Sequence, residues 1–520
     1  MRHGSERFYI KNEGFVIGRL FPIALLAWIY SKLKPKNPKD EKGESKKPTK
    51  YKEYQDDDDT APAPTRLFCR LLAKGEQPQG EDLIRLGELM ESEAGTQSSQ
   101  RDTTIPAGYT YLGQFIDHDI TLDRTPTLST NDILDPAQLE NFRSPALDLD
   151  SVYGGGPKVN EKLYEADGKT LKVGMTTAVD NLPALPNDLP RTDTVADIGD
   201  HRNDENLVVA QTHLAFIKFH NKKVQQNPSL SFAQIKREVV LAYQAIVLTD
   251  FLPRVLDQNI LNDVIKNGRK WYTDEFKACM PIEFSVAAYR MGHSLIRPEY
   301  EWNRIFNTDG PRGIATLAQL FEFSGVSGSR GENDPPFAGL PSLPSNWVID
   351  WRRFYDLPEQ AAQKNFTRQL DANMALDLKT LPEFQAMNPP IPDELISLAT
   401  RNLLRGRLLS LPSGQQAAAE LGFTPLTADQ IRSGVNADQQ QVLRETGFDQ
   451  KTPLWYYILR EAKFLADGQH LGPVGSTLVA ETFVGLIENS PINVLEEAPD
   501  LRFSMPELLA FVDDINPLGD

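Results

Sequence analysis

The stretch YTYLGQFIDHD, from Tyr109 to Asp119, constrains the fold more than any other part of the sequence. Its apolar residues have the spacing of a buried helix, yet polar residues interrupt them. Gln114 and His118 are four residues apart, so in a helix their side chains point the same way. A histidine between two carboxylates inside an apolar helix is costly unless each group is paired or bound. Taken alone, the stretch is more typical of a solvated acidic helix end, and the rest of the chain is what favours paired or bound groups here.

The composition excludes several classes of protein. The chain has 520 residues, of which 40% are hydrophobic, which is enough to bury a large core. Its formal net charge of -17 argues against general nucleic-acid binding, which needs a basic face. Two cysteines, Cys69 and Cys279, are too few for a disulfide scaffold or a CxxC metal site. We expect two unpaired buried thiols, with one bridge between them as the alternative.

The N-terminal region differs from the rest of the chain. Its longest apolar run, Leu20–Tyr30, is far short of the ~20 residues that a transmembrane helix needs. Lysines follow the run and no small-x-small cleavage site appears, which argues against a signal peptide. We expect the run to pack on the main body, with an interfacial membrane anchor as the alternative. The charged stretch Lys34–Asp59 is typical of a solvated linker or exposed strap.

The body of the chain is predicted to be mainly α, with very little β structure and long loops. Strands with convincing alternation are scarce, and Gly325–Asn346, rich in Gly, Ser and Pro, is predicted to be a long surface excursion. Helical periodicity or apolar helical composition is found in Glu81–Glu93, Asn206–Asn221, Gln234–Phe251, Pro281–Arg297, Pro392–Leu409, Leu454–Leu465 and Gly475–Leu486.

Three further polar patterns each allow two interpretations, a functional site or an ordinary structural role. Asp148 and Asp150 alternate ahead of a glycine turn, which suits a hard cation such as calcium, although the spacing is not that of an EF-hand. Solvated aspartates in a turn are the alternative. Glu205 has the position of an ordinary helix cap, and His293 that of a satisfied core histidine.

Several separated segments, taken together, stand in the order found in one family. They resemble the animal-type haem peroxidases, the superfamily of myeloperoxidase, lactoperoxidase and cyclooxygenase, over roughly residues 104–486. The compact chain with few cysteines looks like a bacterial member. The resemblance implies one large helical catalytic domain over residues 60–520, after an extension and linker over residues 1–59. The segments are GQFIDHD (113–119), LDLDSVYG (147–154), RNDE (202–205), RMGHSLI (290–296) and NLLR (402–405).

The resemblance implies a haem b whose iron is bound by His293. Asn402 would accept a hydrogen bond from the other ring nitrogen of that histidine and fix its tautomer. Arg405, one helical turn further on, would pair with a haem propionate. Arg290 would also lie at the haem, three residues before the iron ligand.

On the other haem face, the resemblance implies that His118 moves a proton between the two oxygens of hydrogen peroxide. Arg202 would stabilise the negative charge that develops as the O–O bond breaks. Gln114 would line the distal cavity and hold a water.

Two more sets of residues receive roles from the resemblance. Asp117 and Glu205 match the positions that form haem esters in mammalian relatives, so both, one or neither ester is expected here. A calcium ion would tie the distal helix to the loop that follows. Its expected ligands are Asp119, Ser144, the Ala146 carbonyl, Asp148 and Asp150.

One position favours a peroxidase over a fatty-acid dioxygenase. Dioxygenases of this superfamily carry a radical-forming tyrosine three residues before the iron ligand, where this chain has Arg290; Tyr289 is one residue off. The implied activity is oxidation of small organic donors or halides by hydrogen peroxide through a ferryl intermediate. A haem-binding protein without activity is the non-enzyme alternative, and the intact set of His118, Arg202 and His293 argues against it. The acidic chain without a clear signal favours the cytoplasm, while peroxidases of this type often work outside it.

Overall fold

A computed structural model of the chain describes residues 66–92, 101–123, 134–273, 279–327, 336–359, 361, 363–379, 381 and 395–520. Within these ranges the protein is mainly α with little β structure, as predicted. The apolar run Leu20–Tyr30, the charged stretch Lys34–Asp59 and the predicted domain boundary all lie outside the described residues. None of the described helices is long and apolar enough to cross a bilayer.

The α-helices carry most of the structure. A π-helical stretch, Val247–Phe251, joins α5 to α6. In chain order the helices are α1 (Gly80–Met90), α2 (Gly108–Ile120), α3 (Asp150–Tyr153), α4 (Leu207–Gln226), α5 (Phe232–Ile246), α6 (Leu252–Val255), α7 (Gln258–Asn267), α8 (Ile282–Ser285), α9 (Leu398–Leu408), α10 (Gly414–Glu420), α11 (Ala428–Arg432), α12 (Ala437–Thr446), α13 (Leu454–Ala466), α14 (Pro473–Glu488), α15 (Val494–Glu497) and α16 (Met505–Val512).

Short 3₁₀ helices occur in the connections, and two of them carry predicted site residues. The segment His201–Asp204 precedes α4, and Ala288–Leu295 follows α8. The other 3₁₀ helices are Pro136–Gln138, Glu161–Leu163, Leu317–Phe321, Pro336–Gly339, Ser345–Trp347, Trp351–Arg353 and Leu376–Lys379.

The strands are short and lie in small separate sheets. In the largest, β1 is antiparallel to β3 and parallel to β6, and the pairs β2–β9, β4–β5 and β7–β8 are antiparallel. The strands are β1 (Arg66–Cys69), β2 (Asp102–Pro106), β3 (Glu140–Asn141), β4 (Arg191–Thr192), β5 (Val195–Ala196), β6 (Met280–Pro281), β7 (Glu299–Tyr300), β8 (Ala315–Thr316) and β9 (Phe366–Arg368).

Helix α2 lies in the middle of the core, and all of its residues are buried. Its polar side chains need internal partners because water cannot reach them. Tyr109 begins this pattern by donating its hydroxyl to both carboxylate oxygens of Asp250, at 2.8 Å each, in the π-helical stretch. At the same end of the helix, Tyr355 donates its hydroxyl to the Gly108 carbonyl at 3.0 Å. These contacts fix the orientation of α2 relative to the surrounding helices.

Two predictions about the body of the chain are wrong. Cys69 and Cys279 are not unpaired thiols but form a disulfide, with their Cα atoms 5.7 Å apart. The pairing of β1 with β6 brings them together, because Cys69 lies opposite Pro281. The predicted surface excursion Gly325–Asn346 is partly internal, since Val326 and Phe337 are buried. Apolar residues within this Gly- and Pro-rich stretch therefore join the core.

Candidate active site

His118 lies on α2 and has no exposed surface. Its Nδ1 is 2.8 Å from Oδ1 of Asn203, and since an amide oxygen only accepts, Nδ1 carries the ring proton. Nε2 has no hydrogen-bond partner among the described residues, and Oε2 of Glu205 lies 3.9 Å from it. Burial, and secondly the positive charge of Arg202, lowers the pKa of His118 to about 3. The ring is therefore neutral, with a bare nitrogen available as a base.

Arg202 is held beside His118 from three directions. Its Nε donates to Asp200 Oδ1 at 3.0 Å, and its NH2 donates to the backbone carbonyls of His118 at 2.9 Å and Thr121 at 2.7 Å. NH1 is buried without a hydrogen-bond partner in the described part of the chain. Burial alone would raise the pKa of Asp200, but Arg143 and Arg202 hold that pKa well below its ordinary value. The resulting ion pair fixes the guanidinium while leaving one donor nitrogen unused.

Gln114, on α2, connects this helix to the start of α4. Its Nε2 donates to Glu205 Oε2 at 3.2 Å, and its Oε1 accepts from Asn206 Nδ2 at 3.0 Å. Asn206 is at the same time the N-cap of α4, because its Oδ1 accepts from the Val209 backbone N–H at 3.0 Å. The cap is thus Asn206 and not Glu205, which leaves the Glu205 carboxylate to face Gln114 and His118.

Asp117 is the least satisfied carboxylate of α2. It is buried, and its Oδ2 has no hydrogen-bond partner within the described ranges. Burial raises the pKa of Asp117, while the nearby positive charges of Arg290 and Arg202 lower it. The structure therefore leaves one buried carboxyl oxygen of Asp117 without a hydrogen bond in the described ranges.

His293 lies in the 3₁₀ segment Ala288–Leu295 and not in a regular α-helix as predicted. The physical reason is that a periodicity over so few residues does not distinguish 3.0 from 3.6 residues per turn. The amide nitrogen of Asn402, on α9, lies 2.7 Å from His293 Nδ1, so the two side chains are paired but the amide does not accept from the ring as predicted. Its nitrogen faces the ring, and a half-turn of the amide would present the accepting oxygen. The ring of Trp455, on α13, stands edge-on to His293 at 6.5 Å between centroids.

The 3₁₀ segment is joined to the distal helix through Tyr289. Its hydroxyl donates to the Gly113 carbonyl at 3.2 Å, and its ring stacks on Phe284 at 4.7 Å. A Cβ on Gly113 would lie 3.2 Å from the Phe251 ring, so a small residue is needed at this close approach. Arg290 donates its Nε to the Ser285 carbonyl at 2.7 Å, and its positive charge lowers the pKa of Asp117.

Arg405 has a protein partner that the sequence did not indicate. Its NH2 forms a short ion pair with Asp123, a buried residue just beyond α2. Nε and NH1 of Arg405 are buried and have no partner among the residues described. Two guanidinium donors therefore remain for an acceptor such as the predicted propionate.

The predicted calcium ligands converge on one loop. Carboxylate oxygens of Asp119, Asp148 and Asp150 lie within 4.8 Å of one another. Burial, followed by the charges of Asp150 and Asp148, raises the pKa of Asp119 well above its ordinary value. The Ser144 backbone N–H donates to Asp150 Oδ2 at 2.9 Å, and the Ala146 carbonyl accepts from Gln244 Nε2 at 3.5 Å. Three of the five predicted ligands therefore form one carboxylate cluster, and the Ser144 backbone lies against it.

The backbone of this loop adopts an unusual conformation. Leu147 and Leu149 both have positive φ angles, of 50° and 58°, although both are fully buried. Such angles cost about 1–3 kcal/mol each for non-glycine residues. They flank Asp148 and lead into α3, so the strained turn is what brings successive aspartates to the same side as Asp119.

The arrangement fits a buried haem group. A nitrogen of His118, NH1 of Arg202, Oδ2 of Asp117 and two nitrogens of Arg405 are buried without partners in the described ranges. Unsatisfied buried polar groups are rare, and each one here comes from a position where the family resemblance expects a haem or peroxide contact. A porphyrin would supply apolar surface, and its propionates would supply the acceptors that the two Arg405 nitrogens lack.

Sequence reasoning missed three residues of this site. Asn203 and His213 form a hydrogen-bonded chain behind His118, and Asp123 pairs with Arg405. Asn203 stands next to Arg202, which is the only local signal. The other two acquire their partners through the fold, so no spacing in the sequence could have indicated them.

Comparisons with known proteins found similar sequences. Among curated proteins, the chain is similar to a peroxidase-like protein of Margaritifera margaritifera, with 29% identity over 197 residues, 34% of this chain and 24% of that protein. It is also similar to peroxinectin A of Dictyostelium discoideum, with 22% identity over 310 residues, 56% of this chain and 51% of that protein. The match thus spans about a quarter to a half of these relatives' own lengths.

Solved structures share the fold. Peroxidase A from Dictyostelium discoideum has a TM-score of 0.58 at 16% identity, over 86% of this chain and 93% of that chain. A fatty acid alpha-dioxygenase of Oryza sativa with palmitic acid has a TM-score of 0.53 at 16% identity, over 88% and 80% of the two chains. Both a peroxidase and a dioxygenase are therefore built on this architecture.

A family profile decides the assignment. The profile of the animal haem peroxidase domain matches residues 124–484, more than half of the chain. The match starts just after α2 and includes Arg202, His293, Asn402 and the loop that carries Asp148 and Asp150. The chain belongs to the animal haem peroxidase family.

Proposed function

We propose that this protein is a haem peroxidase that uses hydrogen peroxide to oxidise small organic donors or halides. The observation that carries the proposal is the state of His118, whose Nδ1 is bonded to Asn203 while Nε2 is bare and buried. A neutral imidazole with one bare nitrogen is the form that a general base requires. Arg202, held by Asp200 with one nitrogen unused, provides the adjacent positive charge.

The chain's own residues would divide the reaction between them. Haem supplies the redox chemistry when it is bound. His118 Nε2 takes a proton from one peroxide oxygen and returns it to the other, which then leaves as water. The guanidinium of Arg202 stabilises the negative charge that develops on the leaving oxygen. Gln114 would position a water or small anion in the same cavity.

The other residues would hold the cofactor. His293 would bind the iron through Nε2, and Asn402 would accept a hydrogen bond from Nδ1–H after a half-turn of its amide. Arg405 would donate Nε and NH1 to a propionate, and Arg290 would contribute positive charge near Asp117. Asp117 and Glu205 are the residues available for ester bonds to the haem.

Calcium is part of the proposal. Asp119, Asp148 and Asp150 place three carboxylates together, the first buried and the other two half-buried, and such a cluster is costly without a cation. The Ser144 and Ala146 oxygens would complete the shell. Because Asp119 follows His118 directly, the ion would fix the helix that carries the base.

A fatty-acid dioxygenase is the second candidate, and the shared fold of the rice enzyme favours it. Tyr289 is the tyrosine nearest in sequence to the position that dioxygenases use. Its hydroxyl is hydrogen-bonded to the Gly113 carbonyl and its ring is stacked on Phe284, which holds it in place as a structural residue. Oxygen uptake with an unsaturated fatty acid in the absence of peroxide would support the dioxygenase and refute the peroxidase.

The test of the proposed function is an absorption spectrum of the purified haem-loaded protein, before and after hydrogen peroxide. We expect a Soret band that shifts with peroxide and returns when a reducing dye is added. His118→Ala should keep the band and slow the shift by about 10²–10⁴-fold. His220→Ala is the matched control, because His220 is equally buried but is bonded to Tyr153 and the Lys169 carbonyl. A Soret band without any dye oxidation would indicate a haem-binding protein instead.

A further inference from the structure

The carboxylate of Asp200 is shared between two arginines. Its Oδ1 accepts from the backbone N–H and from Nε of Arg202, at 3.0 Å each, and its Oδ2 accepts from Arg202 NH2 at 2.7 Å. Nε of Arg143 donates to the same Oδ2 at 2.7 Å, and NH2 of Arg143 donates to the Gly199 carbonyl at 3.0 Å. The side chains of Arg143 and Asp200 are only 12% and 4% exposed. Two guanidinium groups therefore flank one buried carboxylate.

The backbone of Arg143 is fixed to the end of α2 through Asn141. The Arg143 backbone N–H donates to Asn141 Oδ1 at 3.2 Å, and the same oxygen accepts from the Leu122 backbone N–H at 2.8 Å. Asn141 Nδ2 in turn donates to the Ile120 carbonyl at 2.9 Å. Arg143 is therefore held at a defined place beside the helix that carries His118.

The pairing of Asp200 with Arg202 does not depend on Arg143. The same local pairing occurs a second time, where Asp350 Oδ1 accepts from the backbone N–H of Arg352 at 3.1 Å and from its Nε at 2.9 Å, and Oδ2 accepts from its NH2 at 3.0 Å. In both cases the aspartate caps a short 3₁₀ helix and the arginine follows two residues later. This local turn accounts for the pair, so what Arg143 adds is a second positive charge.

The charges at Asp200 show what the second arginine does. A pair of Arg202 and Asp200 alone is neutral, so the aspartate would offset the charge that Arg202 presents at its unpartnered NH1. With Arg143 included, two positive charges and one negative charge leave one net positive charge. Asp150 Oδ1 also lies 3.5 Å from Arg143 NH1, but in the proposed function calcium takes up the charge of that carboxylate. Inside a protein such charges interact more strongly than in water.

We propose that Arg143 is a positioning residue for the peroxide reaction: by sharing the Asp200 carboxylate, it leaves the buried NH1 of Arg202 with net positive charge. This inference rests on the proposed function, in which that charge stabilises the leaving oxygen. Arg143 acts through Asp200 and Arg202, and not by contact with peroxide.

The affinity for a small anion measures this charge without any peroxide. Fluoride binds ferric haem and accepts hydrogen bonds, and its dissociation constant can be read from the absorption spectrum. In haem-loaded protein with calcium present, we expect Arg143→Met to bind fluoride about tenfold more weakly than wild type and to react with peroxide about tenfold more slowly. Arg143→Lys keeps the charge and should stay within about threefold of wild type in both measurements.

The matched control is Arg352→Met, which removes the arginine of the second local pair. It should lower the stability of the protein and leave the fluoride affinity unchanged. If Arg143→Met does not fold, Arg143→Gln makes the same comparison, because glutamine is neutral and still has N–H donors. A neutral variant with the fluoride affinity of wild type, or an equal loss of affinity in the neutral and Lys variants, would overturn the proposal.

A second substitution at Asp200 tests the charge balance independently. Arg143→Met combined with Asp200→Asn leaves Arg202 as the one charged member of the group, so the net positive charge of wild type is restored while an acceptor oxygen remains for Arg202. We expect the double variant to regain most of the fluoride affinity that Arg143→Met alone loses, whereas a loss of packing would not be repaired. An affinity as low as that of Arg143→Met, or lower, would count against the proposal. If wild type bound fluoride but failed to react with peroxide, the proposed function would be wrong, and the fluoride affinities would still decide the role of Arg143.

Discussion

The disulfide between Cys69 and Cys279 ties the start of the described chain to the segment that leads into His293. The two residues are 210 positions apart in sequence. Around the bridge, β1 runs parallel to β6, and the Glu283 carboxylate accepts from the backbone N–H groups of Leu71 at 3.0 Å and Leu72 at 3.1 Å. These contacts remain when the bridge is removed, so the same fold should form without it but with lower stability.

The size of the effect follows from the length of the closed loop. In the chain-entropy relation, closing 210 residues in the unfolded state lowers its entropy enough to stabilise the folded protein by about 5 kcal/mol. Disulfides usually deliver less than this relation predicts, because unfolded chains keep residual structure. We therefore expect the Cys69→Ala, Cys279→Ala double variant to lose about 2–5 kcal/mol of unfolding free energy.

Denaturant unfolding of the haem-loaded protein measures this loss as a lower midpoint concentration. Wild-type protein in reductant is the matched control, because the reductant breaks the same disulfide while both cysteines stay in the sequence. Both samples should unfold at the same lower midpoint, and haem should be released earlier in each, since β6 and α8 lead directly to the segment that holds His293. A midpoint equal to that of oxidised wild type in both samples would refute the reasoning.

Three other predictions follow from buried charges. Burial raises the pKa of Glu461 from 4.5 to about 8, so the folded protein binds a proton between these values that the unfolded chain does not. The stability that this proton contributes is complete below pH 4.5 and is lost as pH rises through 8. The unfolding midpoint of wild type should therefore fall across this window, and that of Glu461→Gln should change less. Parallel plots of midpoint against pH for the two proteins would contradict the assignment. Adding calcium after chelation should raise the thermal midpoint of wild type. At a calcium concentration a hundredfold above Kd, the free energy of unfolding should increase by about 3 kcal/mol. The thermal midpoint of Asp119→Asn should not change. On a denaturing gel after peroxide treatment, Asp117→Asn should release more haem than Glu205→Gln, and equal retention in both variants would argue against the ester at Asp117.

The helices could be predicted from the sequence because burial of an apolar face imposes its period on the residues. The predicted stretches Asn206–Asn221 and Leu454–Leu465 correspond to α4 and α13, with errors confined to their ends. The segment with His293 was assigned to the right place but to the wrong kind of helix. There the backbone is bent by long-range contacts, with Ser294 donating its hydroxyl to the carbonyls of Gln369 and Asp371 at 2.8 Å each. No local pattern could have shown this.

The candidate site was predictable where its residues are neighbours in sequence and not where they meet through the fold. The succession Asp117, His118, Asp119 was visible as a cost that a buried helix must offset. The partners that offset it were not visible, because Asn203 lies 85 residues from His118. The prediction of unpaired cysteines was wrong for the same reason. Two isolated cysteines give no sequence signal of a disulfide, because it is the pairing of β1 with β6 that brings Cys69 and Cys279 together.

The geometry of α2 sets Asp117 apart as a candidate for an ester bond to haem. Successive side chains leave a helix about 100° apart, so Asp117, His118 and Asp119 face three different surroundings. His118 finds Asn203, and Asp119 accepts from the Ser151 hydroxyl at 2.9 Å. Asp117 alone of the three keeps a carboxyl oxygen without a partner in the described chain, and burial raises its pKa toward the neutral form. An ester is neutral, so forming one would remove the cost of burying this carboxylate. The Glu205 carboxylate differs in one respect, since Gln114 donates to its Oε2 at 3.2 Å.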